Sequence, residues 1–538
     1  MVSSDSEELG LQLYLINSNF RNYIFNTIPT FQSGFFLQIF QKYFVNLCEF
    51  QSTMIIVKKF KPYQIRFILR LIILFSFSTF IYSQNPTSLS NDEQILDKKL
   101  SHLKTEILTN AEKDKLPIYN TTFSALKPLI ESSELYKTFQ KMPKGGLLHS
   151  HSGGIANTEW LVNKASEYNN CYVFTDVENQ QNYLYGQLMI FKENEAPTGF
   201  VKLKDFLKND SNGKEKLNQL LTLKRNNLSE YIDYWSEFEK RFQRIGSLLN
   251  YRPIFKEYYK EAFQELVNDN VQHVEIRYIF GQLFDENNPN YPIETAVLDL
   301  KEIEKEIQRT HPEFTVKIIY TSLKFLDKNM VEKELEKAYL LKKKYPDFIT
   351  GFDLVANEAT GNSVAYFNPI WKNMKNLEKK YGVKLPLYLH AGESCSLYNH
   401  NISEIPMEDN KRIGHALNLI YFPKLMEKVK QNQNLIEVSP ISNQILGYVS
   451  DMRNHPARVL LANNVNISIN SDDPGVFGYD GLSYDFWMAY LNWDLTVKDL
   501  KKLIFNSIEF SSLNSSEKQK AKLHLQKEWT VFVKNAIQ

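Results

Sequence analysis

Four short stretches in the C-terminal half decide the fold: LPLYLHAGE (385–393), RIGHA (412–416), LIEVSP (435–440) and VNISINSDDPG (465–475). Each is a brief apolar run that stops on polar or ionisable residues, which reads as a strand of a buried sheet. Moving outward, the same pattern occurs at 146–149, in VQHVEIRY (271–278), in TVKIIYTS (315–322, core 316–320) and in FITGFDLVA (348–356). Stretches of helix-forming residues, such as 330–344 and 373–381, separate most of them. Strands that alternate with helices imply a parallel sheet, and eight such units close into a barrel. The fold class expected is therefore α/β, a (β/α)8 TIM-type barrel. The fifth-to-sixth and sixth-to-seventh connections are short and less regular.

The chain has 538 residues, enough for several domains, but one barrel of ~250 residues with additions accounts for it as well. One addition follows the first strand, where roughly 120 residues precede the second, too long for a plain crossover. Residues 171–216 read as short strands and polar turns, with TDVENQQN and KNDSNGKEK as loops, so a small inserted subdomain is expected at about 160–230. Residues 84–142 carry helical periodicity, at 93–107 and 123–139, and form an expected helical arm ahead of a barrel at 143–535.

Ahead of the arm, Lys58, Lys59, Lys61, Arg66 and Arg70 precede an apolar run over 71–82, followed by Ser83-Gln84-Asn85-Pro86. Basic, apolar, then small is the order of a secretory signal. Residues 1–83 are therefore read as a signal region cut near Ser83, with Met54 as an alternative start and an uncleaved anchor as the alternative fate. The run is shorter than the ~20 residues of a membrane span, and no other stretch is long and apolar enough. Secretion or export to a periplasm follows. A formal net charge of +1 leaves no electrostatic footprint for nucleic acid. Three cysteines, none in a CxxC pair, exclude a disulfide scaffold and a thiolate zinc site.

His149 and His151 stand at i and i+2 on the first strand and so point the same way. His390 ends the fifth strand, His415 the sixth, and Asp472 and Asp473 the eighth. Barrel enzymes place their active residues at these C-terminal strand ends. The chain has only ten histidines, and four of them fall there. Neutral imidazoles with one carboxylate suit Zn²⁺, and a catalytic zinc keeps a position open for water. The expected ligands are His149, His151, His390 and Asp472. Because the fourth strand, GFDLVA, offers no Lys to bridge a second ion, one metal per subunit is expected. Bound zinc lowers the pKa of its water towards ~7. His415 can take that water's proton, and a protonated Glu393 can donate to a ring nitrogen of the substrate. Asp473, pointing differently from Asp472, can accept a hydrogen bond from a substrate nitrogen.

Taken together, MPKGGLLHSH, HAGES, RIGHAL, EVSPISNQIL and SINSDDPGVFG resemble the adenosine deaminase family. HVEIRY, GFDLVANEATG, DMRNHPA and GLSYDF make the sequence most similar to its secreted adenosine deaminase-related growth factor branch. The resemblance spans roughly 120–530 and implies hydrolytic deamination of adenosine or 2′-deoxyadenosine to inosine-type product and ammonia. It implies the same four zinc ligands, Glu393 as proton donor, His415 as base and Asp473 at the purine, with Gly414 and Ser471 matching their neighbours. It further implies a covering role for Trp235, a purine-facing backbone at Ala356, a nucleoside contact at Ser152 and a homodimer through the arm. The chain departs from the family at three substrate-side positions. Ser152 stands where a nucleoside-binding carboxylate is usual, Ala356 where a glycine is usual, and Leu323 where the branch has a histidine. The insert's usual disulfide has no partner for Cys171. The alternatives are an extracellular growth-factor-like binding protein and a deaminase of another adenine-type substrate.

Overall fold

The computed structural model describes residues 89–176, 184–192, 195–225 and 234–538. The signal region read at 1–83 lies outside the described residues, as does most of TDVENQQN. In chain order the strands are β1 (Gly145–His151), then β2 (Cys171–Phe174), β3 (Leu188–Ile190) and β4 (Phe200–Lys202) of the insert. The barrel continues with β5 (Val271–Tyr278), β6 (Thr315–Leu323), β7 (Ile349–Val355), β8 (His390–Ala391), β9 (Arg412–His415), β10 (Leu435–Val438) and β11 (Asn466–Ile469).

β1, β5, β6 and β7 form one sheet in that order, and β8, β9, β10 and β11 a second, with every pairing parallel. Two parallel bridges join the sheets. Phe352 on β7 pairs with Leu387 ahead of β8, and Ser150 on β1 pairs with Asp472 just past β11. The eight strands thus close into a (β/α)8 barrel.

The helices behave as amphipathic covers. In Lys328–Lys344, Asp327 caps the start by accepting from the Met330 amide (3.0 Å). Val331, Leu335, Ala338 and Tyr339 are buried at helical spacing, while the lysines of the last turn face out and complement the helix dipole. Each large apolar side chain so buried contributes about 1.5–3 kcal/mol.

The fifth strand is shorter than the sequence pattern suggests. Only His390–Ala391 joins a ladder; just before it the Leu389 amide donates to the Asn410 side chain (3.0 Å) instead of to a strand carbonyl. The extended chain before it is still held, with Phe352 N donating to Pro386 O (2.9 Å) and Tyr388 N to Phe352 O (3.0 Å). The helical stretch at 123–139 is two helices, Phe123–Ser132 and Glu134–Lys141. Ser133 is extended between them and its hydroxyl caps the second by accepting from Tyr136 N (3.2 Å). In KNDSNGKEK only the middle is a turn, since Gly213 already begins the helix Gly213–Leu221.

The insert folds around a three-stranded antiparallel sheet in the order β3-β2-β4. Cys171 lies buried in it, its thiol pushed up to about 12 by burial, and both Cys171 and Cys395 are free thiols. The first described helix, Asn91–Lys113, opens with a reciprocal cap between Ser90 and Glu93 and packs on the last helix, Ser515–Ile537. Glu93 also accepts from Lys501 Nζ and Trp529 Nε1, each at 2.7 Å.

The barrel interior departs from an apolar filling. All eight residues of β5 are buried, yet its period of two sends His273, Glu275 and Arg277 to one face. They meet Arg412 of β9, Glu437 of β10 and Asp353 of β7 in a chain of alternating charge. Arg412 bonds Glu275 (2.6 Å) and Glu437 (2.5 Å), and Arg277 bonds Glu437 (2.5 Å) and Asp353 (2.6 Å). Three carboxylates against two guanidiniums leave a formal excess of negative charge directly beneath the C-terminal strand ends.

Candidate active site

The seam that closes the barrel is also where the donor residues stand. Asp472 N donates to His149 O (3.1 Å), His151 N to Asp472 O (3.2 Å), and Ser150 Oγ to the same carbonyl (2.9 Å). With the backbone so fixed, His149 and His151 both project inward, ring centroids 5.3 Å apart. The His149 ring lies 4.5 Å from that of His390 and 4.7 Å from that of His415. Asp472 Oδ1 stands 3.3 Å from His149 Nε2 and 3.1 Å from His151 Nε2, and its Oδ2 lies 3.9 Å from His415 Nε2. Donor atoms of His149, His390, His415 and Asp472 all lie within 4.8 Å of one another, and His151, Asp472 and Asp473 form an adjoining group. His415 therefore sits inside the donor cluster, and His151 reaches it through Asp472. Gly414 makes room, because a Cβ there would come 3.0 Å from His149 Cε1.

Behind the cluster, carboxylates fix the rings. His149 Nδ1 is 2.9 Å from Glu437 Oε2, and His390 Nδ1 is 2.7 Å from Asp353 Oδ2. A carboxylate only accepts, so each ring donates from Nδ1 and turns the lone pair of Nε2 into the barrel mouth. Asp353 also receives the His390 amide (2.9 Å). Ser442 donates to Asp472 Oδ2 (2.8 Å), which leaves Oδ1 for the cluster. His149 Nε2 is buried and makes no hydrogen bond. An orphaned nitrogen lone pair beside a carboxylate, above an excess of negative charge, is the environment of a cation with nitrogen and oxygen ligands.

Burial sets the protonation states. His390 is held well below the ordinary imidazole range and His151 is lowered, both first by burial and then by neighbouring cations for His390. Burial also holds His415 down at about 3, so that ring is neutral. His149 goes the other way. Burial and Arg277 oppose its charge, but Asp472 and Glu437 on either side outweigh them and push it up. Glu393, whose Oε1 lies 3.5 Å from His415 Nε2, is pushed well above the carboxylate range by burial, then by Asp472 and Glu358. Asp473 is raised as well, by burial and the charge of Asp472. Gly154 admits it, since a Cβ there would come 2.1 Å from Asp473 Oδ1.

The remaining expected contacts lie around this centre. Ser152 follows β1, its amide donating to Arg277 O (3.0 Å) and its carbonyl accepting from Tyr259 (3.1 Å). Ala356 follows β7 with φ of 101°, outside the comfortable range of a residue with a side chain. Leu323 closes β6, paired with Val355. Trp235 lies in the first turn of the helix Tyr234–Asn250 and donates from its indole to the Tyr448 hydroxyl. Tyr448 in turn feels Glu393, whose charge adds to burial in raising the phenol. Three residues after Trp235, Phe238 of that helix stacks on Phe477 with ring centroids 5.7 Å apart.

Arg277, Asp353 and Glu437 are functional neighbours that motif reading alone does not single out. Their signal in the sequence is a charge inside an otherwise apolar strand: HVEIRY, GFDLVA and LIEVSP. A charge that must be fully buried has to be paired, and here the partners are one another and the histidines.

A family model described as adenosine deaminase matches residues 214–527. The chain belongs to the adenosine deaminase family. Curated members include adenosine deaminase 2 of Dictyostelium discoideum, 33% identical over 80% of this chain and 79% of that protein. Adenosine deaminase 2 of Homo sapiens is 32% identical over 83% of this chain and 89% of its own length. Among solved structures, the N6-methyl-AMP deaminase of Arabidopsis thaliana superposes with a TM-score of 0.52 at 16% identity, covering 73% of this chain and 98% of that one, a likeness of fold. Membership in the adenosine deaminase family makes the chain an aminohydrolase.

Proposed function

We propose that the protein is a zinc-dependent deaminase that hydrolyses adenosine, or 2′-deoxyadenosine, to the inosine-type nucleoside and ammonia. The observation that carries this reading is the pairing of a neutral base and a raised acid, His415 and Glu393 at 3.5 Å, against a buried cluster with an orphaned His149 Nε2. His149, His151, His390 and Asp472 would hold one zinc ion per subunit. When bound, zinc lowers the pKa of water and so supplies a hydroxide nucleophile at neutral pH.

The protein's own groups do the rest. Glu393 holds a proton because burial disfavours its charge, and it gives that proton to a purine ring nitrogen, leaving the neighbouring carbon electrophilic. His415 accepts the proton of the attacking water through Nε2 and returns it to the departing ammonia, and the remaining hydroxyl proton passes to Glu393, which restores the acid. Asp473, read from sequence as an acceptor, is raised towards its neutral form, which donates to a ring-nitrogen lone pair. Trp235 and Tyr448 exclude water over Glu393, and Ser152 and Ala356 line the nucleoside side. The arm at 84–142 is assigned to homodimer contact, and the polypeptide to export by its 1–83 signal. No helix among the described residues is long and apolar enough to cross a membrane.

The test is the loss of adenosine absorbance on incubation with the zinc-loaded protein and with Glu393→Gln. Turnover by the parent and a drop on the order of 10²–10⁴-fold in the variant are expected. Equal activity in both sinks the assignment of the acid, and no turnover of any adenine nucleoside by the parent sinks the reading.

A further inference from the structure

Glu393 is not placed by its own strand. β8 ends at Ala391, and the turn that follows brings the Glu393 carboxyl to 3.5 Å from His415 Nε2. What holds that turn is a buried ion pair from the two neighbouring strands. Lys324 directly follows β6, and Glu358 lies three residues past β7. Lys324 Nζ bonds Glu358 Oε1 at 2.8 Å, and both side chains are buried.

Each partner also grips the backbone of the β8 turn. Lys324 Nζ donates to His390 O (2.9 Å). Glu358 Oε2 accepts from Gly392 N (2.9 Å) and Glu393 N (3.2 Å), and Asn399 Nδ2 donates to the same oxygen. The pair thus clasps the chain at residue 390 on one side and at residues 392 and 393 on the other. Nothing in the chemistry described above uses Lys324 or Glu358.

From this clasp we propose that Glu358, through its ion pair with Lys324, is a positioning residue that fixes the acid Glu393 relative to His390. The inference rests on Glu393 being the acid. A buried pair is weak evidence of stabilisation, since apolar replacements are often as stable. It does impose geometry, because every group around the Glu358 carboxylate is a donor. Two oxygens that must satisfy an ammonium, two backbone amides and a side-chain amide leave one arrangement of the turn. The Glu358 charge joins burial and Asp472 in raising Glu393, while Lys324 opposes them.

Glu358→Gln tests this directly. Whichever way the amide is turned, its NH2 faces a donor, so the clasp is broken while size is kept. The holoenzyme variants Glu358→Gln, Glu393→Gln and their double mutant are compared for kcat, KM for adenosine, bound zinc per chain and melting temperature. Glu358→Gln is expected to lower kcat about 10- to 100-fold, with KM and zinc content held. In the Glu393→Gln background the same change is expected to lower kcat no further, since there is no acid left to place. An equal factor in both backgrounds, or a rate loss that tracks zinc loss, overturns the proposal. Asn399→Ala, which removes one half-buried donor to Glu358, gives the same cycle with a milder first step should Glu358→Gln fail to fold. Full kcat in Glu393→Gln alone would instead remove the acid assignment, a result visible before the cycle is closed.

Discussion

The two sheets that make up the barrel differ in kind. In the first, β1, β5, β6 and β7 run for 7, 8, 9 and 7 residues; in the second, β8 to β11 run for 2, 4, 4 and 4. Both halves supply groups that orient others: Arg277, Asp353 and, through its loops, Lys324 and Glu358 from the long half, Arg412 and Glu437 from the short one. Under the proposed mechanism the short half supplies most of the chemistry: His390, Glu393, His415, Asp472 and Asp473. Its strands stop early and turn sharply, with φ of 63° at His415, 49° at Ala416 and 63° at Asp472. Left-handed backbone at residues that carry side chains is strain, and strain collects at working sites because the surroundings hold it there. His149 and His151, on the long side of the seam, face Asp472 on the short side. The site is thus built where a stiff sheet meets a bent one.

If the short half carries the chemistry, the largest effect comes from Asp472. Asp472→Asn removes a charged donor that faces three histidines, and the expected outcome is loss of zinc and of turnover together. The loss should exceed the about 10- to 100-fold typical of a group that only orients a ligand. Zinc per chain by elemental analysis, read beside kcat, checks it; an active, zinc-replete variant would dissolve the division between the halves.

The orienting groups should cost stability as well as rate. Glu437→Gln leaves Arg277 and Arg412 without their shared carboxylate and His149 without its acceptor. Breaking one side of a buried pair typically costs about 3–5 kcal/mol, measurable by denaturant unfolding. Asp353→Asn touches one arginine and one histidine, so a smaller loss is expected, with weaker zinc binding in a competition titration. A larger loss for Asp353→Asn would mean that the first sheet, not the second, anchors the charge network.

Zinc binding should also depend on pH, with a defined sign. Between Glu437 and Asp472, His149 is pushed up and holds a proton more readily than a free imidazole. A metal ligand must be neutral at the binding nitrogen, so the ion displaces that proton. Affinity is therefore highest above the folded-state pKa of His149 and falls as pH drops through it. A chelator should strip zinc more readily at about pH 6 than at about pH 8. Equal stripping at both would show that His149 is not protonated in the free site.

Much of this division was legible beforehand. The barrel follows from counting apolar runs, because burial on both faces leaves a strong mark on a parallel strand. His149, His151, His390, His415 and Asp472 were legible because each ends such a run. The orienting groups were harder to see. Arg277, Asp353 and Glu437 have meaning only through contacts 25 to 288 residues away in the chain, and periodicity carries no such information. Lys324 and Glu358 were hidden for another reason: they lie past strand ends, where one sequence gives no register. The split at Ser133 and the early end of the expected loop at Gly213 turn on capping and local turns, which are marginal in energy and easily decided by tertiary contact.

The smallest effect concerns backbone alone and contrasts the halves most finely. Ala356 follows β7 of the long sheet and Ala416 follows β9 of the short one, and both have positive φ. Their situations differ. At 49° Ala416 lies near the left-handed helical well, at about 57°, and its amide is held by Ala391 O (3.2 Å) and Gly414 O (2.9 Å). At 101° Ala356 lies beyond that well, where a Cβ is crowded and glycine is not. Glycine costs about 0.5–1 kcal/mol more chain entropy than alanine, while a strained residue stores about 1–3 kcal/mol. Ala356→Gly is therefore expected to gain up to about 1 kcal/mol in denaturant unfolding, and Ala416→Gly to be neutral or slightly destabilising. The reverse order would place the greater backbone strain on the short sheet alone, and would make the turn after β7 a relaxed one that tolerates alanine without cost.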